Sequence, residues 1–481
     1  MNFKFIQSSE TNADHTVVLV RTQDDISNPL LQPFAQVISK KLENKETDAL
    51  VFYTGSTTIY VVMIKQDDKM KNFEIKEACR QAGGKLFRLN AKEKSESLLI
   101  TQNNNSYNTE EIFAIMEGFC LAQYQFNKYK KDAKTLSLTT VQLNANNISQ
   151  SDLDAFTNVI DAVTLAKNII NEPVISFNSV DLGNLVIEKS KQFGFNAEVL
   201  QKQQIESLKM GGLLGVNFGS TIPPTFSVLT YKPVNAINEK PFILVGKGVT
   251  YDTGGYSLKP SNYMGTMKSD MSGAAAVLGT ITAIASNKLP VYVIGLMPST
   301  DNRIGNNALV PDDIIIMGDG TSVEVQNTDA EGRLILADAL HYAKQFDPEL
   351  VIDLATLTGA ASAITGSYGA ALMGTDFTYR SKLIESGLQT FERVSEIPFW
   401  TEFSELLKSD VADLKNIGGP VGGASTAGKF LEHFTDYPWL HLDIAGTAFL
   451  KEENGYRQRG GVGFGIRLLY HFLSGVIARM K

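Results

Sequence analysis

The chain contains only two cysteines and no long hydrophobic run, which disfavours a disulfide-rich secreted protein and a membrane-spanning protein. Two cysteines in 481 residues cannot build a disulfide framework, so we expect Cys79 and Cys120 to be buried free thiols. The longest run of small apolar residues, 274–285, is too short to span a bilayer and contains two threonines. The first residues show no apolar signal core. We therefore expect a cytoplasmic protein with no membrane partner.

Basic charge is also in short supply. The 44 lysines and arginines are outnumbered by 52 acidic residues, which gives a formal net charge of -8. An acidic surface disfavours nonspecific binding to nucleic acid as the main activity, because the phosphate backbone carries the same sign of charge.

The length and the alternation of strand-like and helix-like segments predict an α/β protein of two domains. We expect a smaller N-terminal α/β domain over 1–150 and a linking helix over 151–172, which Pro173 follows. A larger C-terminal domain would cover 173–481. Its near-continuous apolar runs predict strands buried on both faces, hence a mixed central sheet flanked by helices.

Local signals inside the first domain predict a helix over 71–82 that ends at Gly83 and Gly84, followed by a short strand over 86–89. The prediction rests on glycine as a helix-ending residue and on the apolar side chains after it.

Most of the candidate metal-binding and catalytic residues lie in two stretches of the sequence. One is the octapeptide NTDAEGRL at 327–334, and the other is 246–276, which begins GKGVTYDTGG. Together they contain four carboxylates and three cations: Lys247, Asp252, Lys259, Asp270, Asp329, Glu331 and Arg333. Clustered carboxylate oxygens bind hard divalent cations, and neighbouring positive charge assists hydrolysis. If the two stretches meet in space, they predict a metal-dependent hydrolase.

Each of these residues also has a simpler interpretation. Asp329 and Glu331 can belong to the acidic first turn of the helix that follows them. Asp270 can cap the next helix, and Lys259 can lie in an exposed turn. Lys247 has part of a phosphate loop around it, but the serine or threonine that should follow the lysine is missing.

Other classes of enzyme remain open from the residues alone. Asp252 lies in an Asp-Thr-Gly tripeptide, which is the signature of aspartic peptidases, but those enzymes need two such aspartates and the sequence has one. The same carboxylates could serve a different two-metal hydrolase, such as a phosphatase.

Taken together, the motifs resemble those of the leucyl aminopeptidase family of two-metal aminopeptidases. The octapeptide matches the family signature without a substitution, and GKG, YDTGG, SLKPS and MKSDM follow in the family order. The segment HLDIAG at 441–446 is similar too, and the resemblance covers about residues 165–481. It implies a cytoplasmic homohexamer that releases N-terminal amino acids, with a broad, leucine-like preference, from peptides with a free N-terminus. Because some bacterial relatives are architectural factors in recombination, DNA binding is the alternative role.

The resemblance also implies a role for each site residue. Two divalent ions per subunit, Mn or Zn, would be bound by Lys247, Asp252, Asp270, Asp329 and Glu331. The catalytic cations would be Lys259 and Arg333, with a bicarbonate ion held at Arg333. The pocket for the first residue of the substrate would be lined by Met267, Thr356, Leu357 and Gly359. None of the five histidines lies in either motif, which agrees with an oxygen-rich metal site.

Overall fold

The chain folds into two compact units. The computed structural model describes residues 3–8, 13–55, 57–65, 69–133 and 136–480. The first unit comprises Met1–Thr164 and Glu452–Arg459, and the second comprises Leu165–Lys451 and Gly460–Lys481. The domain limits at 150 and 172 stay a prediction.

Within its described residues, the first unit has a six-stranded mixed sheet in the order β1-β6-β5-β2-β4-β3, in which all neighbours are parallel except β3 and β4. Its elements are β1 (Lys4–Gln7), β2 (His15–Val20), α1 (Ala35–Glu43), β3 (Asp48–Thr54), β4 (Thr57–Met63), α2 (Asn72–Asn90), β5 (Ser97–Gln102), α3 (Thr109–Gln123), β6 (Thr140–Asn144) and α4 (Gln150–Asn171), whose last residues lie in the second unit.

The predicted end of a helix at Gly83 is wrong, and so is the strand predicted after it. Helix α2 continues through both glycines to Asn90. A Cβ atom on Gly83 would lie 1.9 Å from the carbonyl oxygen of Ile115 in α3, so the glycine allows two helices to pack with their backbones almost in contact. Cys79 and Cys120, on these two helices, are buried free thiols as predicted.

The second unit contains the remaining elements in chain order. They are α5 (Ser179–Phe193), β7 (Asn196–Leu200), α6 (Lys202–Ser207), α7 (Gly211–Asn217), β8 (Thr225–Tyr231), β9 (Phe242–Gly246), β10 (Gly248–Asp252), α8 (Ser261–Met264), α9 (Ser272–Ser286), β11 (Val293–Asn302), β12 (Asp313–Ile316), β13 (Ser322–Val325), α10 (Gly332–Ala343), β14 (Leu350–Ala355), α11 (Gly359–Thr365), β15 (Ala370–Gly374), α12 (Phe377–Thr390), β16 (Val394–Glu396), α13 (Glu402–Glu405), β17 (Leu414–Lys415), α14 (Gly423–Glu432), β18 (Trp439–Asp443), β19 (Phe449–Leu450), β20 (Gly460–Gly461) and α15 (Ile466–Met480).

A mixed sheet forms the centre of the second unit. Its order in the described residues is β16-β15-β18-β14-β9-β11-β8-β7, with β10 pairing beside β11. Ile294 and Leu296 of β11 share a hydrophobic core with residues of α10 such as Leu336. The intervening Gly295 faces α9, since a Cβ atom there would lie 2.8 Å from Val277. Helices therefore cover both faces, and the predicted fold class is confirmed.

None of the helices in the described part of the chain is both long and apolar enough to cross a membrane.

Candidate metal centre

The two charged stretches meet beyond the strand ends of the central sheet. Lys247 lies between β9 and β10, and Asp252 ends β10, while the octapeptide leads directly into α10. They line one open cavity of about 670 Å³. Of the eleven predicted site residues, ten line this cavity, and Glu331 is buried beside it in contact with Lys247.

Lys247 lies at the buried side of the site. Its Nζ atom donates to Oδ1 of Asp270 at 2.9 Å and to the carbonyl oxygen of Thr356 at 3.0 Å. The same atom lies 2.8 Å from Oε1 of Glu331. Burial opposes a charge on Lys247, but Asp270, Glu331 and Asp252 outweigh it and raise the pKa above its ordinary value. Without a metal ion, Lys247 is therefore an ammonium group.

Lys259 bridges the two stretches on the cavity side. Its Nζ atom lies 2.8 Å from Oδ2 of Asp252 and 2.5 Å from Oδ1 of Asp329. Burial again opposes the charge, while Asp252, Glu331 and the other carboxylates raise its pKa. The alternative interpretation of Lys259 as an exposed turn residue is therefore wrong for this side chain, which is only 15% exposed.

The helix-start interpretation of the octapeptide is correct for the backbone and incomplete for the side chains. Glu331 is the residue that precedes α10, and its carbonyl oxygen accepts from the backbone N–H of Leu334 at 3.0 Å. Its carboxylate, however, is buried against Lys247. Asp270 lies in the turn before α9 and likewise contacts Lys247 rather than capping the helix.

Two carboxyl groups in this cluster have a raised pKa. Burial, followed by the charges of Asp252 and Glu331, raises the pKa of Asp329 to about 7. Burial raises the pKa of Asp270 well above its ordinary value, although Lys247 opposes this. Carboxylates crowded in a buried site repel one another unless a cation compensates them.

The donor set fits a divalent cation. Oxygens of Asp252, Asp329 and Glu331 all lie within 4.8 Å of one another. Oδ2 of Asp270, Oδ1 of Asp329 and Oε1 of Glu331 lie beside lysine ammonium groups, yet none accepts a well-directed hydrogen bond in the described structure. Buried carboxylate oxygens with unused acceptor capacity are the ligands that Mg, Mn and Zn take from acidic residues.

Arg333 lies on the first turn of α10 and is only 6% exposed. Its Nη1 atom donates to the carbonyl oxygen of Asn416 at 2.7 Å, and its Nε atom has no hydrogen-bond partner among the described residues. Burial lowers the pKa of Arg333 to about 10, with Glu331 and Asp443 opposing the shift. The guanidinium is therefore still protonated at neutral pH.

Three of the four residues predicted for the substrate pocket follow β14. Thr356 donates from Oγ1 to Asp270 at 2.7 Å, which ties this turn to the charged cluster. The buried Asp443 accepts from the backbone N–H of Leu357 at 3.1 Å and from the hydroxyl of Thr358 at 2.7 Å. Met267, in the turn before α9, belongs to the lining of the same cavity.

Three residues outside the predicted set of site residues support this site. Asn302 donates to Oδ1 of Asp252 at 2.8 Å and to the carbonyl oxygen of Thr328 at 3.0 Å, so it joins the two stretches. Asn416 contacts the octapeptide, and Asp443 holds the turn after β14. The HLDIAG segment signalled Asp443 in the sequence, but no local pattern marks either asparagine.

A mixed α/β sheet with a carboxylate and lysine cluster at its strand ends is the arrangement expected of a metal-dependent hydrolase. Residues 164–470 match the family model described as the cytosol aminopeptidase family, catalytic domain. A probable cytosol aminopeptidase of Chlorobium limicola is 44% identical over 377 residues, which are 75% of this chain and 74% of that protein. The chain belongs to the cytosol aminopeptidase family.

Solved structures extend the likeness over nearly the whole chain. The bottromycin maturation enzyme BotP in complex with Mn has a TM-score of 0.86 and 28% identity, covering 97% of this chain and all of that one. A mutant of tomato leucine aminopeptidase has a TM-score of 0.86 and 25% identity, covering 99% of this chain and 96% of the other. The protein is a metal-dependent aminopeptidase of the leucyl aminopeptidase type, and the alternative DNA-binding role has no support in these comparisons.

Proposed function

We propose that each subunit uses two divalent cations, Mn or Zn, held by Lys247, Asp252, Asp270, Asp329 and Glu331. The observation that carries the proposal is the convergence of these five side chains with Lys259 and Arg333 at one cavity. When bound, such ions supply an activated water and polarise the scissile carbonyl. Lys247 can be a ligand only as a neutral amine, so cation binding has to release its proton.

Lys259 is the electrophilic side chain in this proposal. Its ammonium group already lies at the cavity surface between Asp252 and Asp329. Once cations compensate those carboxylates, the ammonium can donate a hydrogen bond to the substrate carbonyl and stabilise the oxyanion that develops there.

Arg333 is proposed to hold an anion, bicarbonate, that accepts and returns a proton. The guanidinium is protonated and lines the cavity, and only one of its donors has a hydrogen bond to the described protein. Arg333 itself cannot act as the base, because it does not lose its proton at neutral pH.

The cavity lining supports a broad preference for leucine-like first residues. Met267 and Leu357 supply apolar surface, and Gly359 leaves space, since a Cβ atom there would meet nothing within 4 Å. An apolar pocket discriminates by only about 1–3 kcal/mol per methylene, so related side chains should also be accepted. We also propose that the protein is a homohexamer in the cytoplasm. The proposed domain limits are 1–150 for the N-terminal domain, 151–172 for the linking helix and 173–481 for the catalytic domain.

The test combines metal content with activity. Metal-stripped protein is titrated with Mn or Zn, and bound metal is counted while leucine p-nitroanilide and its N-acetylated form are assayed. We expect two ions per subunit and cleavage of the free-amine substrate alone. Asp329→Ala should lose metal and activity together, while Asp319→Ala, at an exposed acidic residue, should lose neither. Full metal content in Asp329→Ala would overturn the ligand assignment.

A further inference from the structure

Asn416 is a fully buried polar residue that contacts both ends of the octapeptide. It follows β17, whose residues pair with β13 just before the octapeptide begins. The backbone N–H of Asn416 continues this pairing by donating to the carbonyl oxygen of Glu324 at 2.9 Å.

The side chain of Asn416 clamps the start of the octapeptide. Its Oδ1 atom accepts from the backbone N–H groups of Gln326 at 2.9 Å and Asn327 at 3.2 Å. Its Nδ2 atom donates to the carbonyl oxygen of Asn327 at 2.7 Å. These hydrogen bonds replace a strand ladder where regular pairing ends, and they fix the backbone two residues before Asp329.

The main chain of Asn416 holds the other end. Its carbonyl oxygen accepts from Nη1 of Arg333 at 2.7 Å. A guanidinium is a rigid planar fork, so one hydrogen bond at one corner constrains where its remaining donors lie. The side-chain clamp decides where this carbonyl oxygen sits, because both groups belong to one residue.

We propose that Asn416 is a positioning residue that acts through Arg333, by setting the guanidinium at a fixed place relative to Asn327 and the carboxylates that follow. This inference rests on the proposed role of Arg333. Misplacement of a catalytic group by a fraction of an ångström lowers kcat without a comparable effect on substrate binding.

The second unit offers a matched control. Asn238 is also buried, and it makes the same kind of backbone clamp: Oδ1 accepts from the N–H of Tyr292 at 2.8 Å, and Nδ2 donates to the carbonyl oxygens of Lys240 and Tyr292, each at 2.8 Å. Neither Asn238 nor its partners line the active cavity. Loss of a buried amide should therefore lower the stability of both Asn416→Ala and Asn238→Ala, but only Asn416→Ala should lose catalytic activity.

The experiment is a double-mutant cycle with full-length protein loaded with metal. Asn416→Ala, Arg333→Ala, the double variant and Asn238→Ala are compared for kcat, KM, metal content and melting temperature on leucine p-nitroanilide. We expect kcat of Asn416→Ala to fall about tenfold or more with KM and metal content nearly unchanged, while Asn238→Ala stays within about twofold of wild type. The double variant should be no slower than Arg333→Ala, because both changes remove one function.

Other outcomes overturn the inference. Action through Arg333 would be refuted if kcat of Asn416→Ala equalled that of Asn238→Ala. It would also be refuted if the losses in kcat multiplied in the double variant, or if Asn416→Ala lost metal. Normal turnover of Arg333→Ala would remove the proposed role of Arg333 itself, whereas a slow Arg333→Ala with a normal Asn416→Ala would refute only this inference. If Asn416→Ala does not fold, Asn416→Ser, which keeps a small polar side chain, takes its place in the cycle.

Discussion

Gly332 lies against the side chain of Lys247. A Cβ atom on Gly332 would be 2.5 Å from Cε and 2.7 Å from Nζ of the lysine. The absence of a side chain at Gly332 therefore leaves space for the Lys247 side chain to pass the start of α10 and reach the carboxylates. The two motifs fit together through this contact, besides the charges they contribute.

Gly332→Ala should therefore impair metal binding and activity although it removes no ligand. Lys247 cannot move aside freely, because its ammonium is held by Asp270, Glu331 and the carbonyl oxygen of Thr356. We expect kcat/KM to fall by at least about tenfold, which corresponds to about 1.4 kcal/mol. Metal titration and leucine p-nitroanilide hydrolysis measure the effect. Gly475→Ala, where the new methyl group would meet nothing within 4 Å, is the control and should retain wild-type values.

Lys259→Ala should separate metal binding from turnover. If this lysine stabilises the transition state, the variant should keep its metal while kcat falls by about 10²–10³-fold. Lys240→Ala, which removes an exposed ion pair with Asp347, should leave both quantities unchanged. Near-normal turnover in Lys259→Ala would show that its contacts with Asp252 and Asp329 serve only the charge balance of the metal-free protein.

The buried pair of His441 and Asp353 predicts a pH dependence of stability. Oδ1 of Asp353 lies 2.5 Å from Nδ1 of His441, and both residues are inaccessible to solvent. Burial opposes the charge on the imidazole, but Asp353 outweighs it and raises the pKa of His441 above 6.5. The folded state then binds more protons than the unfolded state, so this stabilisation is complete below about pH 6.5 and is lost as pH rises through the folded pKa.

Urea unfolding between pH 6 and pH 9 checks this expectation. The difference in free energy of unfolding between wild type and His441→Asn should shrink as pH rises. The contributions of the other titrating groups are the same in both proteins, so they cancel in this difference. His433→Asn, at an exposed histidine, is measured over the same pH range for comparison. A difference for His441→Asn that is independent of pH would mean that the pair is not charged in the folded protein.

The sequence motifs predict most of the site, because the decisive residues are local in sequence and chemically distinctive. Asp329, Glu331 and Arg333 fall within five consecutive residues, and although each has a simpler interpretation by itself, the octapeptide together with GKG, YDTGG, SLKPS and MKSDM forms a distinctive ordered pattern. Asn416 could not be predicted, because it acts through hydrogen bonds to Arg333 and Asn327, which are 83 and 89 residues away in the sequence. A single asparagine in a loop has no distinctive sequence pattern. Its role depends on where β17 meets β13, which is a property of the folded sheet.

Gly83 shows how the same residue type can carry opposite meanings. In an isolated sequence a pair of glycines predicts the end of a helix, since glycine costs about 1 kcal/mol relative to alanine inside one. In the folded protein the crossing of α2 and α3 outweighs that cost. The contact is reciprocal, because a Cβ atom on Gly118 of α3 would lie 1.9 Å from the carbonyl oxygen of Arg80.

Gly83→Ala should therefore destabilise the protein even though alanine is the better helix former. The added methyl group would collide with the backbone of Ile115, which cannot rotate away as a side chain could. Overpacking of this kind costs about 1–3 kcal/mol, which exceeds the gain in helix propensity. Urea unfolding of the full chain gives the free energy, and Gly475→Ala in the open part of α15 should be neutral or slightly stabilised. Equal stabilisation of the two variants would mean that α2 and α3 do not approach as closely as described and that Gly83 is there for another reason.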